Sequence, residues 1–140
     1  MRLLTSDEKE HLILLIEGFI SFRLSHINLM IVLCMNDLYY KDYCYLSNEN
    51  SKIIKIERKY DEKDKCWIIE TNDKNQTKCR NQEEQLIFLS EYVLSDYTYC
   101  FENDDDKIFL VKDMFTIKSF NERPLISKII MVIYDIQLTT

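Results

Sequence analysis

Two histidines, His11 and His26, and five cysteines, Cys34, Cys44, Cys66, Cys79 and Cys100, are the side chains best suited to nucleophilic or metal chemistry. A thiolate nucleophile needs a base within hydrogen-bond reach, and a dyad such as Cys34 with His26 is conceivable. Nothing in the sequence selects that pair over the other Cys–His combinations, and surface or core histidines are the expectation. Fifteen residues separate the histidines, about 22 Å along one helix, so they share a site only if the chain bends between them. The cysteines contain no C-x-x-C pair, which argues against a zinc knuckle or a thioredoxin-like motif. They are expected to be buried free thiols in a reducing compartment. No cofactor and no metal is expected.

Glu102, Asn103, Asp104, Asp105 and Asp106 form an acidic run. It lacks the alternating oxygen ligands, the turn glycine and the distal Glu of a calcium loop. The run reads first as a solvated acidic turn; its functional reading is an acidic patch that meets a basic partner surface or imitates nucleic-acid phosphates. Tyr39, Tyr40, Tyr43 and Tyr45 fall within seven residues of one another. Tyrosine offers a large apolar body with a polar tip at low entropic cost, which is why interfaces favour it. The segment either covers the core or presents an interface. A third cluster joins Lys52, Lys55, Arg58, Lys59, Lys63 and Lys65 to Tyr60 and Trp67, a combination suited to single-stranded nucleic acid. Glu57, Asp61, Glu62, Asp64 and Glu70 interleave with it, so counterion release would contribute little. A charged, solvated hairpin is the expectation there.

The glycine count excludes more than any motif adds. With Gly18 alone among 140 residues, no P-loop, dinucleotide-binding fingerprint or nucleophile elbow can be written. Asn72, Asn75, Asn103 and Asn121 stand where tight turns are needed and are expected to serve them. There is one proline, Pro124, and no alanine, while Lys, Ile, Asn, Asp and Tyr abound. That bias is what an AT-rich genome encodes, pointing to a low-GC bacterium, its phage, or a virus. The Asn75-Gln76-Thr77 sequon has no meaning without secretion.

These side chains must be placed by one domain, the size class that 140 residues supports. Thr5-Ser6-Asp7-Glu8 is a capping box, and Leu12, Leu15, Ile16, Phe19, Ile20, Ile27 and Ile31 follow at helical spacing. The helix runs to about Met35, or breaks near Ser25-His26 with 27–34 as a strand. Residues 36–50 read as a connector. Runs 52–58 and 65–71 read as an antiparallel hairpin around the polar stretch 59–64. Asn81-Gln82-Glu83-Glu84 is a second capping box opening a helix through Leu86, Leu89, Val93 and Tyr97. Runs 107–111 and 115–120 suggest a second hairpin or a bent strand. Pro124 opens a last helix, although 129–134 would also suit a central strand. The order α-β-β-α-β-β-α indicates an α+β fold, an antiparallel sheet against two or three helices.

The charged run Asp7-Glu8-Lys9-Glu10 after Arg2 argues against a signal peptide, and the apolar stretch 12–35 is interrupted by Glu17, Arg23, His26 and Asn28. A membrane span needs about 20 unbroken apolar residues. A cytoplasmic protein is expected. Charge is uneven: net −3 over residues 1–50, +3 over 51–80 and −6 over 81–140.

By exclusion, the expected function is non-catalytic binding of a protein. A phage- or virus-encoded inhibitor of a host defence protein, of the anti-CRISPR kind, suits the composition. The partner would be a nucleic-acid-binding host protein with a basic surface, met by Tyr39, Tyr40, Tyr43, Tyr45, Glu102, Asp104, Asp105 and Asp106. Direct nucleic-acid or membrane binding is not expected. A bacterial immunity protein against a basic nuclease toxin fits the same features. A small Cys- or carboxylate-dependent hydrolase or nuclease is the alternative of another class.

Overall fold

Thr5 begins the first helix as its capping chemistry requires. In the computed structural model, its Oγ1 accepts the Glu8 N–H at 3.2 Å, and Glu8 Oε1 accepts the Thr5 N–H at 3.0 Å. Two orphan donors are thereby satisfied reciprocally. Arg2 adds a bidentate grip on the same carboxylate, at 2.9 and 3.1 Å. The structure describes residues 1–20, 23–102, 130–133 and 135.

The first helix, α1, spans Ser6–Ile20, and a second, α2, spans His26–Lys41. Neither expectation for this stretch holds whole: the chain breaks before His26, so no single helix runs to Met35. Yet 27–34 is helix and not strand, because the Ser25 hydroxyl caps α2 by accepting the Asn28 N–H at 3.1 Å. Leu29 through Met35 and Leu38 are all buried, so α2 is covered on most of its circumference and needs no polar face. Among the described residues no helix is long and apolar enough to cross a membrane.

Among the described residues six antiparallel strands form one sheet: β1 (Arg2–Leu3), β2 (Tyr43–Ser47), β3 (Ile53–Asp61), β4 (Cys66–Thr71), β5 (Gln76–Cys79) and β6 (Thr98–Phe101). Their spatial order is β1-β6-β2-β3-β4-β5. The third helix, α3 (Gln82–Leu94), packs with α2 and β5. The β3–β4 hairpin read from the sequence is present, with Tyr60 opposite Trp67 and Asp61 opposite Cys66. The α+β class therefore holds, with the sheet packed against the helices.

The segment 36–50 is not a connector. Its first part completes α2, and 43–47 is a central strand between β6 and β3. The period-two signal is there, since Cys44 and Leu46 are buried while Tyr43 and Tyr45 alternate with them. Tyrosine and cysteine both read as apolar, which hid the alternation. The helix expected through Tyr97 stops at Leu94, and β6 follows. The hairpin expected over 107–111 and 115–120 and the start of the last helix at Pro124 lie outside the described residues; 130–133 are helical.

Among the described residues asparagine, Asn72 and Asn75 included, does not take the left-handed turns; Asn103 and Asn121 lie outside the described residues. Asp42, Ser51, Lys65, Lys74 and Asp96 carry the positive φ angles among the described residues, each at a cost of roughly 1–2 kcal/mol relative to glycine. Asparagines work through their side chains instead. Asn48 Oδ1 accepts the N–H groups of Asn50 and Lys52, and Asn72 bridges the Ile53 carbonyl and the Lys55 N–H. The Asn48 amide imitates a backbone turn without adopting a strained φ, while that of Asn72 ties the turn after β4 to β3.

Tyr99 and Phe101 of β6 fill the centre of the core at 2% and 1% exposure. The Tyr99 hydroxyl donates to buried Asp37 of α2 at 2.8 Å. All five cysteines are buried free thiols. Burial pushes Cys79 and Cys100 up to about 11 from 9.0. A thiol whose folded pKa is raised stabilises the fold below the unfolded value and loses that contribution as pH climbs through the folded one. Stability should therefore fall between pH 9 and about 11. A thiol reagent at pH 8 should label none of the five cysteines in native protein and all five in concentrated urea, as mass spectrometry would read directly.

Candidate functional site

Tyr39 and Tyr40 stand in the last turn of α2, where Met35 and Leu38 take the inward positions. Both tyrosines are left 51% exposed, with ring centroids 4.9 Å apart in edge-to-face contact. Asp42 then reverses the chain at φ 67°, its N–H donating to the Leu38 carbonyl at 3.1 Å. That turn sets β2 beside β3 and brings Arg58 under the end of the helix.

Arg58 joins the helix terminus to the hairpin. Its Nε–H donates to Asp42 Oδ1 at 3.1 Å and an Nη2–H to the Tyr39 carbonyl at 3.3 Å. A cation against the last carbonyls of a helix is favoured by their aligned dipoles. The guanidinium carbon lies 4.2 Å from the Trp67 ring centroid and 6.0 Å from that of Tyr39, within the range of cation–π attraction. The Arg58 side chain is only 10% exposed. Tyr60 faces Trp67 across the hairpin with ring centroids at 5.3 Å, and is itself 50% exposed. Tyr40, Tyr39, Arg58, Trp67 and Tyr60 thus form one continuous aromatic ridge around a neutralised cation.

Tyr43 and Tyr45 belong elsewhere. Arg58 shares the sheet face of inward Ile54 and Ile56, whereas Tyr43 pairs with Glu57 on the opposite face. There the Tyr43 hydroxyl donates to Glu102 at 2.8 Å. Lys55 Nζ lies 4.9 Å from the Tyr43 ring centroid and 5.8 Å from that of Tyr45, and Lys41 Nζ 5.9 Å from Tyr43. Of the residues singled out in the sequence, the structure brings together Tyr43, Tyr45 and Glu102, and separately Tyr39 and Tyr40. Asp104, Asp105 and Asp106 lie outside the described residues.

The ridge members Arg58, Tyr60 and Trp67 were grouped in the sequence with the basic hairpin, not with Tyr39 and Tyr40. Strand pairing alone predicts the Tyr60–Trp67 contact. The approach of a helix end 19 residues earlier, seen in the Arg58–Tyr39 bond, has no local sequence signal. Two of the hairpin's cations are already committed, Arg58 to Asp42 and Lys55 to Glu57 at 3.6 Å. That weakens a nucleic-acid platform further.

A Cys34–His26 dyad is not formed. His26 is the exposed first residue of α2, while Cys34 is fully buried eight residues on, about 12 Å along the helix axis. Burial pushes the Cys34 thiol well above its ordinary value, reinforced by hydrogen bonding to Cys44. This is the opposite of thiolate activation. His11 is exposed on α1, and the described residues contain no group of three or more His, Cys, Asp or Glu able to hold a metal ion. Comparison with protein-family models, with curated proteins and with solved structures finds no match to this chain.

Proposed function

We propose that this chain is a non-catalytic binding protein that docks another protein through the Tyr40–Tyr39–Arg58–Trp67–Tyr60 ridge. The observation that carries the reading is the half-exposure of Tyr39, Tyr40 and Tyr60 around an ordered Arg–Trp contact. Tyr, Trp and Arg are the residue types that hold most interface energy, and rings already fixed by their neighbours lose little entropy on binding. Local charge favours a protein over nucleic acid, because Asp42, Asp61, Glu62 and Asp64 offset the nearby Lys41, Arg58, Lys59, Lys63 and Lys65. The net charge of −6 and the AT-rich composition support an inhibitor encoded by a phage or virus, aimed at a host protein.

The test is affinity capture from lysate of the native host, comparing wild type with Tyr40→Ala and Tyr60→Ala. Both side chains are half outside, so each variant should stay within about 1 kcal/mol of wild-type stability. A specific partner retained by wild type should be lost or dissociate at least about tenfold faster from both variants. A partner retained equally by all three proteins overturns the ridge as the docking site.

A further inference from the structure

The third helix has a second face that no described residue covers. Gln85, Leu86, Leu89 and Val93 are its buried positions, while Glu83, Glu84, Ile87, Glu91 and Leu94 are exposed. The exposed five recur at helical spacing along one stripe. Ile87 and Leu94 stand 45% and 67% exposed, two turns or about 10.5 Å apart, with Glu91 between them. Residues 82–96 contain the acids Glu83, Glu84, Glu91 and Asp96 and no base. No described ion pair involves these acids. The Glu84 carboxylate is occupied with the Arg80 backbone N–H at 2.8 Å, and Asp96, past the helix end, is exposed.

We infer that this face docks a basic amphipathic helix from a protein partner. Charge complementarity selects the occupant: a stripe carrying Glu83, Glu84 and Glu91 without a cation of its own repels an acidic segment and attracts one rich in Lys or Arg. The two aliphatic side chains at i and i+7 set the second requirement. They match apolar residues recurring at i, i+3 or i+4, and i+7 on the incoming helix, the pattern by which helices pack on one another. Attraction between the charges governs arrival and salt dependence, while burial of Ile87 and Leu94 governs residence. The surface uses none of the ridge residues, so it stands or falls separately from the ridge.

The probe is a labelled synthetic 18-residue peptide with leucines at i, i+4 and i+7 on one face and lysines elsewhere. Its control has the same composition, with the leucines spread around the helix. Fluorescence anisotropy should show the patterned peptide bound at 1:1, and the control bound at least about tenfold more weakly. Ile87→Ser with Leu94→Ser should weaken the patterned peptide by about tenfold or more. Glu83→Gln with Glu91→Gln should weaken it and flatten its salt dependence. Tyr40→Ala should leave it unchanged. Equal binding of the two peptides, an unchanged Kd for the Ile87/Leu94 variant, or loss of binding in Tyr40→Ala would each overturn the inference.

Discussion

Trp67→Ala should produce a folded protein that has lost its partner. The indole is half-buried, packed against the edge of the core, with Arg58 over its face and Tyr60 at its side. From sequence, a core position would cost about 3–5 kcal/mol on truncation. Partial exposure lowers the expected cost to roughly 2–3 kcal/mol, a loss that a domain of ordinary stability survives. Binding should suffer more than the lost area suggests. Without the indole, Arg58 loses its nearest ring and Tyr60 loses the neighbour that fixes it, so the ridge loses its order along with its central contact. A weakening of at least about 2 kcal/mol, roughly thirtyfold in Kd, is expected. Urea unfolding followed by circular dichroism, since the only tryptophan is gone, separates stability from binding. Trp67→Phe should recover much of both. Full partner affinity in a folded Trp67→Ala would defeat the ridge proposal.

Phe101→Ala should be the most destabilising single truncation in β6, costing about 3–5 kcal/mol. The ring is 1% exposed, in edge-to-face contact with Tyr99 at 5.5 Å, and Arg2 lies over it at 5.7 Å. Its removal opens a cavity where the helices meet the sheet and loosens the β1–β6 pairing of Arg2 with Phe101. Tyr99→Phe tests the neighbouring position by a different mechanism, because only the hydroxyl bonded to Asp37 is deleted. Burial, together with the Asp37 charge, holds that phenol far above its ordinary pKa, so it donates at every accessible pH. Loss of one hydrogen bond to a buried carboxylate should cost about 1.5–3 kcal/mol. Denaturation midpoints of the two variants at constant slope measure both. A Phe101→Ala within 1 kcal/mol of wild type would mean that this part of the core can collapse around the gap.

Local chemistry determined much of this protein. The Thr5–Glu8 capping box closes as its spacing requires. At the second box, Asn81 accepts the Glu84 N–H at 2.9 Å, while the Glu84 carboxylate turns to Arg80 rather than Asn81. The β3–β4 hairpin, α3 and the burial of all five cysteines follow from side-chain type and period, which act over a few residues. The chain could not announce locally that Tyr43-Cys44-Tyr45-Leu46 is a central strand, since its strand character depends on β6 and β3 closing on either side. The same limit applies to the site. Four tyrosines within seven residues read as one patch, but a single αL residue, Asp42, sends two to the helix end and two to the far face of the sheet. Arg58 and Trp67 join the first pair only because β3 crosses beneath the terminus of α2. Composition decided which side chains were available for binding; long-range strand pairing decided which of them stand together.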